Sequence, residues 1–316
     1  ATTTWVRRLA ARAERTRAPI ARASCSSIPL LPSLEREERR SSKHDTATGR
    51  EGWQTAPMPA PSDPQAEPCL LVLWDVDHTL IETRGVGRAI YDRAFPAATG
   101  KPLAELASVS GRTELDIMTE TLRINDIQPT DDMVTKLAGA LIQGYEDARD
   151  ELRTTGRALP GALDALASLA DDPVFHQSVL TGNLREVARI KLEVFELNAY
   201  LDLASGAYGD DHSDRSKLIA VAQRRADERT GTVFGSNDTV LVGDTSRDVQ
   251  AGLAAGVRVI GVATGKTGIQ ELHRAGAHEV ANTLEECRDI LKRLGRTRDR
   301  ELSSDGGPAS MTGGSG

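Results

Sequence analysis

An α/β fold, a Rossmann-like parallel sheet core with an inserted α-helical cap domain, is what the sequence predicts, and three observations predict it. The first is an unbroken apolar run at Leu70–Trp74, with further apolar runs read at 176–180, 239–242 and 257–262 and a weaker one at 201–207. A strand covered on both faces reads this way. The second is that helical stretches separate these runs, as in a parallel sheet with right-handed crossovers. The third is the interval between Gly85 and Pro160. It is helical in character, at 87–97, 114–122 and 131–149, and too long for a simple crossover.

The 316 residues suffice for two domains or for one carrying an insertion. The predicted divisions are an N-terminal extension over 1–68, core over 69–84, helical cap over 85–160, core again over 161–296, and a Gly/Ser/Pro-rich tail over 297–316. The extension holds 11 Lys+Arg against 8 Asp+Glu, a local +3, and shows no strand or sustained helical face, so disorder is expected there. Its Arg- and Ser-rich start resembles a transit peptide. The alternative, favoured here, is that Met58 is the natural start and the upstream residues are a translated leader. The remaining 28 Lys+Arg and 38 Asp+Glu give the body −10, which argues against nucleic acid as a partner. No run of 18 apolar residues occurs, so no membrane span is expected. Cys25, Cys69 and Cys287 are scattered without metal spacing, which predicts free thiols in a reducing, cytoplasmic setting.

The chemistry concentrates where apolar runs end. Leu70–Trp74 runs straight into Asp75-Val76-Asp77-His78-Thr79-Leu80. Open α/β sheets place their sites at the carboxyl ends of strands. Carboxylates there need a counter-charge, because an unpaired buried charge costs several kcal/mol. A hard divalent cation with oxygen ligands is the simplest one. A second run ends in Ser178-Val179-Leu180-Thr181-Gly182-Asn183, where Asn183 is expected to cap the next helix with Glu186 completing the box. The opening amides and the Thr181 hydroxyl would suit a phosphate oxygen. A third run ends in Gly243-Asp244-Thr245-Ser246-Arg247-Asp248, with Thr245 or Ser246 capping a helix that Gly256 ends. Asp244 joins Asp75 and Asp77 at one face, which is a candidate magnesium site. Asp248 also reads simply as an acid placed well in a first helical turn.

Asp75-x-Asp77-x-Thr79, Thr181-Gly182-Asn183 and Gly243-Asp244-x-x-x-Asp248, in that order, resemble the haloacid dehalogenase-like hydrolases over about residues 69–295. Val109-Ser110-Gly111-Arg112-Thr113 and Val262-Ala263-Thr264-Gly265 resemble the phosphoglycolate phosphatase-like branch with its helical cap. The resemblance implies a magnesium-dependent phosphatase acting on a small phosphorylated metabolite, as a monomer or homodimer. Asp75 would be the nucleophile and Asp77 the general acid and base. Mg2+ would be held by the Asp75 carboxylate, the Asp77 backbone carbonyl and Asp244, with Asp248 behind them. Thr181, Gly182 and Asn183 would hold the phosphoryl oxygens. A sugar-phosphate mutase and a non-catalytic regulatory protein of the same fold are the alternatives.

The family places a lysine near the phosphate, often as Lys-Pro ahead of a helix, and none occurs between Thr181 and Gly243. Lys191 and Lys217 are the candidates. Lys217 fits the usual spacing, but a sub-branch with Asp-Arg in place of Lys-Pro resembles this chain more closely and favours Lys191, which a helix would point back toward its N-terminus. His78 stands where glycine is more usual. Arg112 is a candidate substrate contact, or an arginine salt-bridged near Glu114 and Asp116.

Overall fold

The computed structural model describes residues 69–305; the predicted extension over 1–68, Cys25 within it, and the end of the predicted tail lie outside them. The strands are β1 (Leu70–Trp74), β2 (Ile81–Glu82), β3 (Arg157–Ala158), β4 (Phe175–Val179), β5 (Thr239–Gly243), β6 (Arg258–Val262) and β7 (Glu279–Ala281). Five of them form one parallel sheet in the order β4-β1-β5-β6-β7. β1 is buried along its whole length, as its unbroken apolar sequence requires. Alternation then divides its side chains. Leu70, Val72 and Trp74 pack on one face with Leu166 and Leu169 of α5 (Ala162–Ala170) and with Ile290 and Leu291 of the last helix (Leu284–Asp305). Leu71 and Leu73 pack on the other face with Leu218 and Ala222 of α7 (Arg215–Thr230) and Val249 of α8 (Ser246–Ala254). The result is a three-layer α/β/α core.

The chain passes from β1 to β4 on one side and later to β5 on the other. Such a reversal opens a crevice at the carboxyl ends of the strands. Between β2 and β3 lie four helices: α1 (Val86–Thr99), α2 (Glu114–Ile124), α3 (Asp131–Asp147) and α4 (Arg149–Thr155). β2 and β3 pair antiparallel, Ile81 against Ala158 and Glu82 against Arg157, so the insertion leaves and rejoins the core side by side. Among the described residues, no helix is long and apolar enough to cross a membrane.

Three expectations differ from the structure. Residues 201–207 form turns rather than a strand, and only Ala207 reaches the sheet, by a bridge to Leu180. Asp202 explains this, since its carboxylate accepts from the Ala204 N–H at 3.1 Å and its carbonyl from the Ser205 N–H at 3.1 Å. That local turn chemistry outweighs the apolar composition. β7 went unread because it is three residues long at a half-buried edge. The tail expected from 297 is helical to Asp305. Gly295 lies within that helix against Val174 and the Phe175 ring, where a side chain would collide. The Arg, Glu and Leu that follow favour helix.

Trp74 is fully buried at the end of β1, and its Nε1 donates to Gln177 Oε1 at 3.2 Å. Trp74→Ala is expected to lower unfolding free energy by about 3–5 kcal/mol, read from the urea midpoint; an unchanged midpoint would mean that this layer does not carry the core.

Candidate active site

β1 delivers the first acid while still paired: the Asp75 N–H donates to Val242 O at 2.9 Å. A tight turn follows, with the Leu80 and Ile81 N–H groups returning to Val76 O at 2.9 and 3.0 Å. His78 occupies the left-handed region of that turn at φ 62, which supplies a physical reason for glycine in related sequences. Its side chain is exposed, and its carbonyl accepts from Thr264 Oγ1 at 2.7 Å. β5 delivers Asp244, whose Oδ1 accepts from Thr79 Oγ1 at 3.3 Å. Asp248 closes the capping box at the start of α8, taking the Thr245 N–H at 3.0 Å on Oδ2 while its own N–H donates to Thr245 Oγ1 at 3.2 Å.

Asp75, Asp244 and Asp248 are all buried and can place carboxylate oxygens within 4.8 Å of one another. Their counter-charge is Arg215, in the first turn of α7, whose Nη2 lies 2.7 Å from Asp75 Oδ1 and 2.6 Å from Asp248 Oδ1. Burial, opposed by Arg215 and reinforced by Asp248, pushes Asp75 up to about 7. Burial, reinforced by Asp75 and Asp248, pushes Asp244 up to about 8. Three acids and one guanidinium leave the cluster short of positive charge. Among the described residues, Asp248 Oδ1 has no well-aligned hydrogen-bond donor, and any side chain at Gly265 would collide with Asp244 Oδ2. An all-oxygen set with such a deficit fits a hard divalent cation.

The second half of the site is built around Asp77, which keeps 34% of its side-chain surface open at the bottom of the cleft. Lys191, buried on α6 (Arg185–Val194), places Nζ 2.7 and 2.9 Å from the two Asp77 oxygens and 2.7 Å from Asn183 Oδ1. Asn183 Nδ2 donates to Asp77 Oδ2 at 2.7 Å and to Thr181 Oγ1 at 2.8 Å. Burial alone would raise the Asp77 pKa, but the Lys191 ammonium and then Asn183 hold it below the ordinary carboxylate value. Thr181 Oγ1 accepts from Asn183 and so keeps its proton for another acceptor. Gly182 sits in a tight seat: its carbonyl accepts from the Glu114 N–H at 2.7 Å, and a Cβ there would collide with Arg112 O.

The expected residues are therefore distributed unevenly. Asp75, Asp77, Asp244, Asp248, Thr181, Gly182, Asn183 and Lys191 come together at the ends of β1, β4 and β5. Asn183 does not cap α6, because its amide is taken by Asp77 and Lys191; the first helical N–H, of Arg185, donates to Asp210 Oδ1 at 3.0 Å. The Asp77 carboxylate faces Lys191, so only its backbone carbonyl is left for a cation, while Asp248 belongs to the acid cluster itself. Lys217 lies exposed on α7. Residues two apart on a helix face nearly opposite ways, so a turn that points Arg215 inward turns Lys217 outward. Arg215 is the functional residue that went unassigned, although the Asp214-Arg215 pair was its signal. Arg112 is committed locally, with Nε donating to Asp116 Oδ2 at 2.6 Å and Nη1 to Ser108 O at 3.3 Å.

Comparison with known proteins follows the same lines. The family model of the haloacid dehalogenase-like hydrolases matches residues 72–262. A Dickeya dadantii (strain 3937) protein described as probable phosphatase IndB is 25% identical over 224 residues, 68% of this chain and 90% of that protein. The crystal structure of a predicted phosphatase from Clostridium acetobutylicum superposes with a TM-score of 0.54 at 22% identity, covering 72% of this chain and all of that one. That of a hydrolase from Pseudomonas syringae gives 0.51 at 22% identity, covering 72% of this chain and 99% of its own. With three-fifths of its length matched, the chain belongs to the haloacid dehalogenase-like hydrolases.

Two predictions follow from the electrostatics. Lys191→Ala should cut turnover of an aryl phosphate by about a hundredfold, the scale of losing one charge-stabilising donor, with Lys217→Ala near the native rate; equal rates for both would remove Lys191 from the site. The second concerns pH. In the cation-free folded protein Asp75 and Asp244 hold protons up to about 7 and about 8, against 3.8 ordinarily, so the folded state binds more protons than the unfolded one in between. The stability they contribute is full below about pH 4 and lost as pH rises through about 7 and 8. A divalent cation competes with those protons, so the gain in melting temperature on adding Mg2+ should grow between about pH 5 and pH 8.5. A pH-independent gain would place the cation elsewhere.

Proposed function

We propose that this chain is a Mg2+-dependent phosphatase that hydrolyses a small phosphomonoester through an aspartyl-phosphate on Asp75. The observation that carries the reading is the division of two neighbouring acids into opposite electrostatic states. Asp75 sits with Arg215 among the acids, and Asp77 is held ionised by Lys191. Groups whose surroundings push their pKa values apart mark separate chemical roles.

Asp75 attacks phosphorus, and the ester P–O bond breaks as the new one forms. The leaving oxygen takes a proton from Asp77. Water then attacks the same phosphorus, gives its proton back to Asp77 and releases inorganic phosphate and free Asp75. Lys191 links these steps. With the cleft empty its ammonium keeps Asp77 ionised; a phosphoryl dianion competes for that ammonium, so Asp77 takes up a proton from solvent as the ester binds, donates it to the leaving oxygen, and loses the one returned by water when phosphate departs. Thr181 contributes its free hydroxyl proton to a phosphoryl oxygen. Asp75, Asp244, Asp248 and the Asp77 carbonyl would hold the Mg2+, which when bound neutralises the charge spread over the transferring group.

A Mg2+-dependent phosphate-release screen over phosphorylated metabolites tests this directly. Asp77→Asn should lower kcat by about a hundredfold to ten-thousandfold, and Asp75→Asn should abolish turnover. Activity surviving in Asp75→Asn would contradict the covalent route, and isomerised sugar phosphate without released phosphate would point to a mutase.

A further inference from the structure

The insertion brings a second polar cluster to the Lys191 end of the cleft, and the steps above do not use it. Its members come from three helices: Tyr91 from α1, Glu114 from α2 and Tyr145 from α3. The Tyr91 hydroxyl donates to Glu114 Oε1. Lys191 Nζ lies 5.1 Å from the centre of the Tyr145 ring. Burial pushes the Glu114 carboxyl above the ordinary value, opposed by the Tyr91 hydrogen bond and the Lys191 ammonium and reinforced by Asp77.

Glu114 is rooted on the phosphate side of the site. Its N–H donates to Gly182 O at 2.7 Å, within the Thr181-Gly182-Asn183 turn. Two glycines make that seat possible. A Cβ at Gly182 would collide with Arg112 O, and one at Gly209 would collide with Gly182 O and come within 3.0 Å of the Glu114 nitrogen. A half-buried carboxylate in this position carries a desolvation cost that the Tyr91 hydrogen bond and the Lys191 ammonium together offset only in part. Arg112, two residues before it, does not neutralise it, because its guanidinium is held by Asp116 and Ser108 O.

Resting on the phosphatase reading, we propose that Glu114 is the group that reads the leaving part of the substrate, and that it selects a phosphomonoester bearing a hydrogen-bond donor, a hydroxyl or an ammonium, close to the phosphoryl group. A carboxylate in the same place would meet Glu114 head-on. Like charges brought into one poorly solvated cleft repel, whereas a donor would satisfy the second carboxylate oxygen, the Tyr91 hydroxyl being bound to Oε1. The substrate class is thereby a polyol, sugar or amino-alcohol phosphate rather than a phosphorylated hydroxy acid.

Three esters with the same two-carbon frame isolate the choice: hydroxyethyl phosphate, aminoethyl phosphate and carboxymethyl phosphate, which is phosphoglycolate. Each is assayed with Mg2+ beside an aryl phosphate, on the full chain and on its Glu114→Gln and Glu114→Ala variants. The quantity read is the ratio of kcat/KM between esters within one protein, which the folded fraction does not change. In the native chain, phosphoglycolate should fall at least about tenfold below the better donor-bearing ester, the size of one modest interaction. Glu114→Gln, which removes the charge and keeps the shape, should narrow that gap at least about fivefold, chiefly through the KM of phosphoglycolate. A loss confined to aminoethyl phosphate in Glu114→Gln identifies an ammonium as the donor read, and retention of both esters' order identifies a hydroxyl. Phosphoglycolate leading in the native chain, ratios unmoved in both variants, or an aryl phosphate turned over while all three esters stay inert would overturn the assignment of Glu114 and leave the phosphatase reading standing. No phosphate release from any of the four would overturn both.

Discussion

The structure depends most on how positive charge is shared among buried aspartates at the ends of β1 and β5. Leaving a buried carboxylate without its partner costs about 3–5 kcal/mol, a large part of the margin that keeps a domain folded. Two cations from different helices meet that demand. Arg215 of α7 serves Asp75 and Asp248, and Lys191 of α6 serves Asp77. The sharing is incomplete: among the described residues, Asp244 receives only the Thr79 hydroxyl. An acid kept close to other acids, with a hydroxyl for company, is a standing demand for a further cation. The chemistry proposed for the site and its demand for metal thus have one electrostatic origin.

Much of this was legible in the sequence because strand-end chemistry is local. Asp75, Asp77 and Asp244 follow apolar runs directly, and a parallel sheet brings such ends to one edge whatever the details of packing. Lys191 was legible for a related reason, since a helical side chain reaches back over the preceding turn. Arg215 was harder. Its inward direction is set by where α7 begins against the sheet, and a shift of two residues would have presented Lys217 instead. Asn183 shows the opposite limit. Its sequence suits a helix cap, yet the cap is lost to a stronger, charge-assisted demand from Asp77 and Lys191 that only the fold creates. Glu114, Tyr91 and Tyr145 gave no sequence signal at all. Tyr91 lies 23 residues before Glu114 and Tyr145 31 residues after it, on three helices whose faces meet only after the insertion packs.

The insertion also explains why the glycines near the site cannot vary freely. Gly182 and Gly209 permit the backbone of the 112–114 segment to lie against the Thr181-Gly182-Asn183 turn, and Gly265 leaves open the space beside Asp244. Close backbone approach of this kind positions donors to within tenths of an ångström, on which phosphoryl transfer relies far more than on any single reactive side chain.

The central claim is that Asp75 carries the phosphoryl group. Acid quenching of the full chain during steady turnover of an aryl phosphate with Mg2+, followed by peptide mass mapping, tests it most directly. A phosphate adduct on the peptide containing Asp75, absent from the same peptide before substrate is added, is the expected result. Sustained turnover with the adduct on another residue, or with none trapped at any quench time while a burst of released alcohol is seen, would contradict it.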